Sequence, residues 1–159
     1  MGFGLGSAKH EVQEQSLFSP SSIAAKAYFG ISANKYFSGE ISFGFLGIYS
    51  KSAGSYTVFS TSGSVLGYIP LGERVRLLGK GGGFQWKLEQ GEDDSGKEVA
   101  PIEGVDLMYG VGLEFRLKSG SNIRIEWENY KNVGEQENNN DFKGDIKFFS
   151  IGVNSPLGS

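Results

Sequence analysis

The sequence predicts an all-β fold, an eight-stranded antiparallel up-and-down transmembrane β-barrel. Three observations lead there. Apolar residues recur at period two through eight stretches of about ten residues, and no stretch shows convincing helical periodicity. The connections between those stretches alternate regularly between short and long. Glycine supplies 25 of 159 residues against 4 prolines, without a G-X-Y repeat, which excludes collagen-like and proline-rich disordered chains.

The candidate strands cover residues 2–11, 22–33, 37–49, 56–69, 74–89, 105–118, 122–132 and 145–154, and eight strands close a small barrel. Three connections are tight: Ala33-Asn34-Lys35-Tyr36, Pro70-Leu71-Gly72-Glu73 and Lys118-Ser119-Gly120-Ser121, with Asn, Pro or Gly supplying the turn chemistry. The others, 12–21, 50–55, 90–104 and 133–144, are longer and polar. In a meander, successive turns fall at opposite ends. The short connections therefore gather at one end and the long ones at the other, as in outer-membrane barrels.

The strand Ile123-Arg124-Ile125-Glu126-Trp127-Glu128 sets Ile, Ile and Trp on one face against Arg, Glu and Glu on the other. Residues 107–117 repeat the rule, with Leu107, Tyr109, Val111, Leu113, Phe115 and Leu117 opposing Met108, Gly110, Gly112, Glu114 and Arg116. Ile41, Phe43 and Phe45 likewise oppose Glu40, Ser42 and Gly44. In the fourth stretch, 59–65, neither face carries an apolar band, and its register stays open.

A soluble barrel would point the apolar face inward. Two features favour the inverse. The interior of an eight-stranded barrel is just wide enough for side chains, which suits a face bearing Gly44, Gly82, Gly110 and Gly112. The bulky face runs over about 9–11 residues, enough to cross a bilayer at a tilt. Gly79, Gly81 and Gly83 then fall on the outer face without an evident reason. A soluble lipocalin-like barrel around a small apolar ligand stands as the alternative of another class.

No run approaches the ~18 apolar residues that a membrane-spanning helix needs. The absence of cysteine removes disulfides and thiolate chemistry. The balance of 15 Lys+Arg against 18 Asp+Glu lacks the basic excess that nucleic-acid binding requires. No basic start leads into an apolar run with a cleavage site, so the chain reads as one domain, 1–159, without a signal peptide.

These strands resemble the OmpA-like transmembrane-domain family. The likeness is most specific in Gly110-Val111-Gly112-Leu113-Glu114-Phe115 and in Ile123 to Trp127 with the following Glu128-Asn129-Tyr130-Lys131-Asn132-Val133-Gly134. It extends to residues 66–74 and 79–86 and to Phe149-Ser150-Ile151-Gly152-Val153. The resemblance implies the outer membrane of a Gram-negative bacterium. It also implies an interior charge cluster, with Glu40, Glu114 and Arg124 on matching sites. Lys80, Glu126 and Glu128 share the inner face with them, and buried charges of both signs are expected to pair. The lysine this family carries on its fourth strand has no counterpart in 62–66, which weakens any carry-over of gating. The end at residues 154–159 lacks the family's terminal aromatic, and no peptidoglycan-binding domain follows, so both ends read as trimmed.

Phe43, Phe45, Tyr109, Leu113, Phe115, Trp127, Phe149 and Ile151 are expected to face lipid. A structural or adhesive surface role follows, with the long loops as the place for a surface ligand and a narrow ion-conducting pore as the alternative. No enzyme, cofactor or metal is implied. Gly79-Lys80-Gly81-Gly82-Gly83 lacks the phosphate-loop spacing. His10 is the sole histidine and has no evident catalytic partner. Glu92, Asp93, Asp94 and Glu98 lack the order of a calcium loop. The oligomeric state stays open.

Overall fold

The computed structural model describes residues 1–12, 21–51, 54–90, 102–133, 136–137, 140–141 and 144–155. Its strands are β1 (Gly2–Val12), β2 (Ser21–Ser32), β3 (Phe37–Lys51), β4 (Gly54–Pro70), β5 (Val75–Gln90), β6 (Ile102–Arg116), β7 (Asn122–Val133), β8 (Gln136–Glu137), β9 (Asn140–Asp141) and β10 (Gly144–Asn154). Seven of them and β10 form one closed barrel in the order β1-β10-β7-β6-β5-β4-β3-β2, while β8 and β9 pair only with each other. Every barrel pairing is antiparallel between chain neighbours, and β1 closes on β10 from Gly2↔Asn154 to Val12↔Gly144. Closure satisfies every strand edge, which a bilayer demands.

The tight turns have local causes. Asn34 Oδ1 accepts hydrogen bonds from the Tyr36 and Phe37 amides at 2.8 and 2.9 Å, closing the β2–β3 connection. Between β6 and β7 the Leu117 amide donates to the Ser121 carbonyl at 2.8 Å, and Gly120 takes a φ of 87° that favours glycine. These turns and both described chain ends share one rim, the turn end. The loop end carries the long connections. Two irregularities lie toward the loop end. The β3–β4 register shifts between Phe45 and Ile48, where Gly47 has φ 110°, and the β7–β10 register shifts between Gly144 and Ile146, beside Asn132 with φ 52°.

The inward and outward faces follow the alternation. On β4 the face left open by the sequence resolves: Ser60, Ser62, Ser64 and Leu66 are buried, while Phe59, Val65 and Ile69 are exposed. Inward glycines are imposed by closeness. A Cβ on Gly82 would collide with the Gly63 carbonyl, and one on Gly112 with the Ile125 carbonyl. Gly79 and Gly81 face outward into open space.

One expectation needs correction. The inner face is not glycine and charge throughout, because in the loop-end half the alternation inverts. On β5, Leu77, Gly79, Gly81 and Gly83 point out beside inward Lys80 and Gly82. Farther along, Phe84, Trp86 and Leu88 are buried and Gln85, Lys87 and Glu89 point out. The outer surface turns polar there, and bulk moves inside to fill the lumen.

Candidate functional site

From the turn end, the lumen holds a cavity of about 620 Å³, then a layer of ion pairs, then an apolar plug. The middle layer assembles side chains from five strands. Lys80 on β5 donates to Glu40 Oε1 at 2.8 Å and Glu126 Oε2 at 3.2 Å, and lies 2.8 Å from Glu128 Oε1. Lys26 on β2 donates to Glu126 Oε1 at 2.8 Å and Glu128 Oε2 at 2.6 Å. Arg124 on β7 bridges Glu40 Oε2 at 2.6 Å and Glu114 Oε2 at 2.9 Å, with its guanidinium over the Tyr28 ring. Arg76 on β5 reaches Glu114 Oε1 through Nε at 2.8 Å and stacks on Tyr68.

Glu40, Glu114, Glu126 and Glu128 are thus matched by Lys26, Lys80, Arg124 and Arg76, four charges of each sign. Glu128 is 0% exposed and Glu114 1%. Desolvation costs several kcal/mol per ion, so such carboxylates persist only because each has a cation in contact. The barrel brings the six interior residues named from sequence into one network. Sequence reasoning passed over Lys26 and Arg76. Lys26 sits in Ala24-Ala25-Lys26-Ala27, where small residues on both faces hide the alternation.

The plug consists of Ala8, Ala24, Leu46, Val58, Phe84, Trp86, Leu88, Met108, Tyr130, Val133, Ile146 and Phe148, all buried. Phe84 meets Tyr130 edge to face at 5.0 Å between centroids. The Tyr130 hydroxyl points back to Glu128 at 3.5 Å, joining plug to ion layer.

Outside, Phe43, Tyr109, Phe149 and Ile151 are exposed. Phe45, Leu113, Phe115 and Trp127 are half-buried by outward neighbours, with Trp127 tilted against Tyr109 at 6.1 Å and Phe45 against Phe59 at 5.8 Å. Phe3, Leu5, Ile23, Ile41, Val111 and Val153 extend the same apolar belt. Toward the loop end a charged rim bounds it, where Lys147 meets Glu11 at 2.7 Å and Lys131 meets Asp145 at 2.8 Å. The His10 side chain and residues 92–98 lie outside the described residues.

A closed eight-stranded barrel with an apolar outer belt and a charge-paired lumen defines a bacterial outer-membrane protein. The model of the OmpA-like transmembrane domain matches residues 1–158, and the chain belongs to that family. The soluble lipocalin-like reading falls with this finding. No curated protein sequence matches. Among solved structures, the chain is similar to the attachment invasion locus protein Ail of Yersinia pestis, crystallised with the heparin analogue sucrose octasulfate. Identity is 18% and the TM-score 0.63, over 96% of this chain and 94% of that one. It is also similar to Neisserial surface protein A, at 12% identity and TM-score 0.72 over 96% and 94%. The N-terminal β-barrel domain of Pseudomonas aeruginosa OprF matches at 11% and 0.60 over the same shares. These likenesses carry the fold. In barrels of this class the short turns lie on the periplasmic side, so the turn end faces the periplasm and the loop end the exterior.

Proposed function

We propose that the protein is a non-enzymatic surface barrel with a structural or adhesive role, exerted by its long exterior loops on a rigid, closed platform. The observation that carries this reading is the doubly filled lumen. Ion pairs with four charges of each sign and an apolar, aromatic plug stand in the path of a permeating ion, which speaks against the narrow pore. Both layers brace the strands from which the loops project.

The heparin analogue bound to Ail belongs to that protein. Here the four long connections are acidic taken together, with Lys51, Lys97 and Lys143 their only cations against a larger number of carboxylates. Loops of that charge repel a sulfated polyanion and suit a neutral or cationic protein surface. Cells displaying the barrel are therefore expected to adhere to immobilised extracellular-matrix protein and not to heparin. Replacing residues 91–101 and 134–143 by short Gly-Ser turns should abolish adhesion while the barrel still folds. Adhesion unchanged by loop replacement, or a steady single-channel conductance of the intact protein in planar bilayers, would contradict the proposal.

A further inference from the structure

The charge balance of the ion layer leaves a residue of cations at the periplasmic mouth. Glu40 and Glu114 are consumed by Lys80, Arg124 and Arg76. The cavity of about 620 Å³ is also lined by Lys35, Arg74 and Arg116, against Glu73 as the one remaining carboxylate of its lining. Among the described residues, none of Lys35, Arg74 and Arg116 forms an ion pair. The two arginines are neighbours by construction, since the Arg116 amide donates to the Arg74 carbonyl at 2.7 Å across the β5–β6 edge. All three residues are solvent-exposed, and cations gathered on one concave wall raise the local concentration of anions. Lys35 stands on the β2–β3 turn that lines the same cavity, its ammonium over Tyr36.

The size and lining of the cavity point the same way. Tyr28 contributes its ring to the lining, with the Arg124 guanidinium over it. Volumes of about 300–1,000 Å³ are typical of small-ligand sites. Guanidiniums match phosphate oxygens in paired hydrogen bonds and remain charged at every physiological pH.

We propose that this vestibule binds a phosphate-bearing ligand from the periplasmic side, with Arg74 and Arg116 clamping the phosphate and Lys35 facing it. The phosphate is either that of a soluble ester or that of a phospholipid headgroup reaching in from the adjacent leaflet. The exterior connections, taken together, carry the opposite charge. The barrel thus presents an anion site on one side of the membrane only.

The test uses the folded protein in a phosphate-free zwitterionic detergent, titrated with inorganic pyrophosphate while the arginine side-chain NH resonances are followed. Saturable shifts are expected for Arg74 and Arg116. Affinity should fall at least tenfold in R74Q/R116Q and stay unchanged in K118Q, whose lysine lies on the same rim outside the cavity lining. Nanodiscs then separate the sources. Phosphatidylglycerol that displaces pyrophosphate, where phosphatidylcholine does not, assigns the site to a headgroup; pyrophosphate binding insensitive to lipid assigns it to a soluble ester. Absence of saturable binding to either probe, or equal weakening by K118Q, overturns the proposal. The three substituted residues make no ion pair in the structure, so the variants are expected to fold, which the heat-dependent gel mobility of the barrel checks.

Discussion

The two halves of the lumen solve one problem by different physics. Toward the periplasm the inner wall is Lys26, Glu40, Lys80, Glu114, Arg124, Glu126 and Glu128, held by ion pairs between strands far apart in sequence. Toward the exterior it is Phe84, Trp86, Leu88, Met108, Ile146 and Phe148, held by close packing. The outer wall changes in the reverse sense, from an apolar belt to the charged rim of Lys9, Glu11, Lys131, Asp145 and Lys147. Strands of 15–17 residues explain this. About 9–11 residues cross the hydrocarbon, and the remainder rises into headgroups and water. There a strand obeys the soluble rule, apolar inside and polar outside.

The comparison breaks most sharply in the ion layer. Glu128→Ala leaves the buried Lys80 and Lys26 short of a shared partner, and is expected to cost about 3–5 kcal/mol in urea unfolding from lipid vesicles. Phe84→Ala, which opens a cavity against Tyr130, should cost a similar or slightly smaller amount, about 3–4 kcal/mol. The two mechanisms separate on compensation. Replacing Lys26 and Glu128 together by Met and Leu should recover most of the single-variant loss, because an apolar pair needs no counter-charge. A double variant as unstable as Glu128→Ala would show that the network, not the desolvation of one charge, sets the cost.

A smaller effect separates inside from outside. Gly82→Ala drives a methyl group into the Gly63 carbonyl and should impair folding yield, whereas Gly81→Ala meets nothing and should change stability by less than about 0.5 kcal/mol. Equal tolerance at both positions would mean that β5 faces the wrong way.

Much of the architecture was legible because period two and turn spacing are local properties. The strand number, the short and long connections and the faces of β6 and β7 follow from residues such as Leu113, Glu114, Ile125 and Glu126. The ends were less so: β6 begins at Ile102 and stops at Arg116, not at 105 and 118, since a polar strand continuing above the bilayer looks like loop. The apolar plug was illegible as a unit. A rule that sends bulk outward misassigns the loop-end half, and nothing local marks the depth at which the rule inverts. Lys26 was hidden by alanines on both sides, and its partners Glu126 and Glu128 lie a hundred residues away.

An apolar plug closes the barrel inside and an apolar belt surrounds it outside, and the two tryptophans report on the two environments. Trp86 is buried in the plug and Trp127 points outward on β7. In vesicles, the Trp127→Phe protein, emitting from Trp86 alone, should resist both brominated lipid and aqueous acrylamide, while the Trp86→Phe protein, emitting from Trp127, should be quenched strongly by brominated lipid. Efficient acrylamide quenching of Trp86 would reveal water in the lumen and contradict the account.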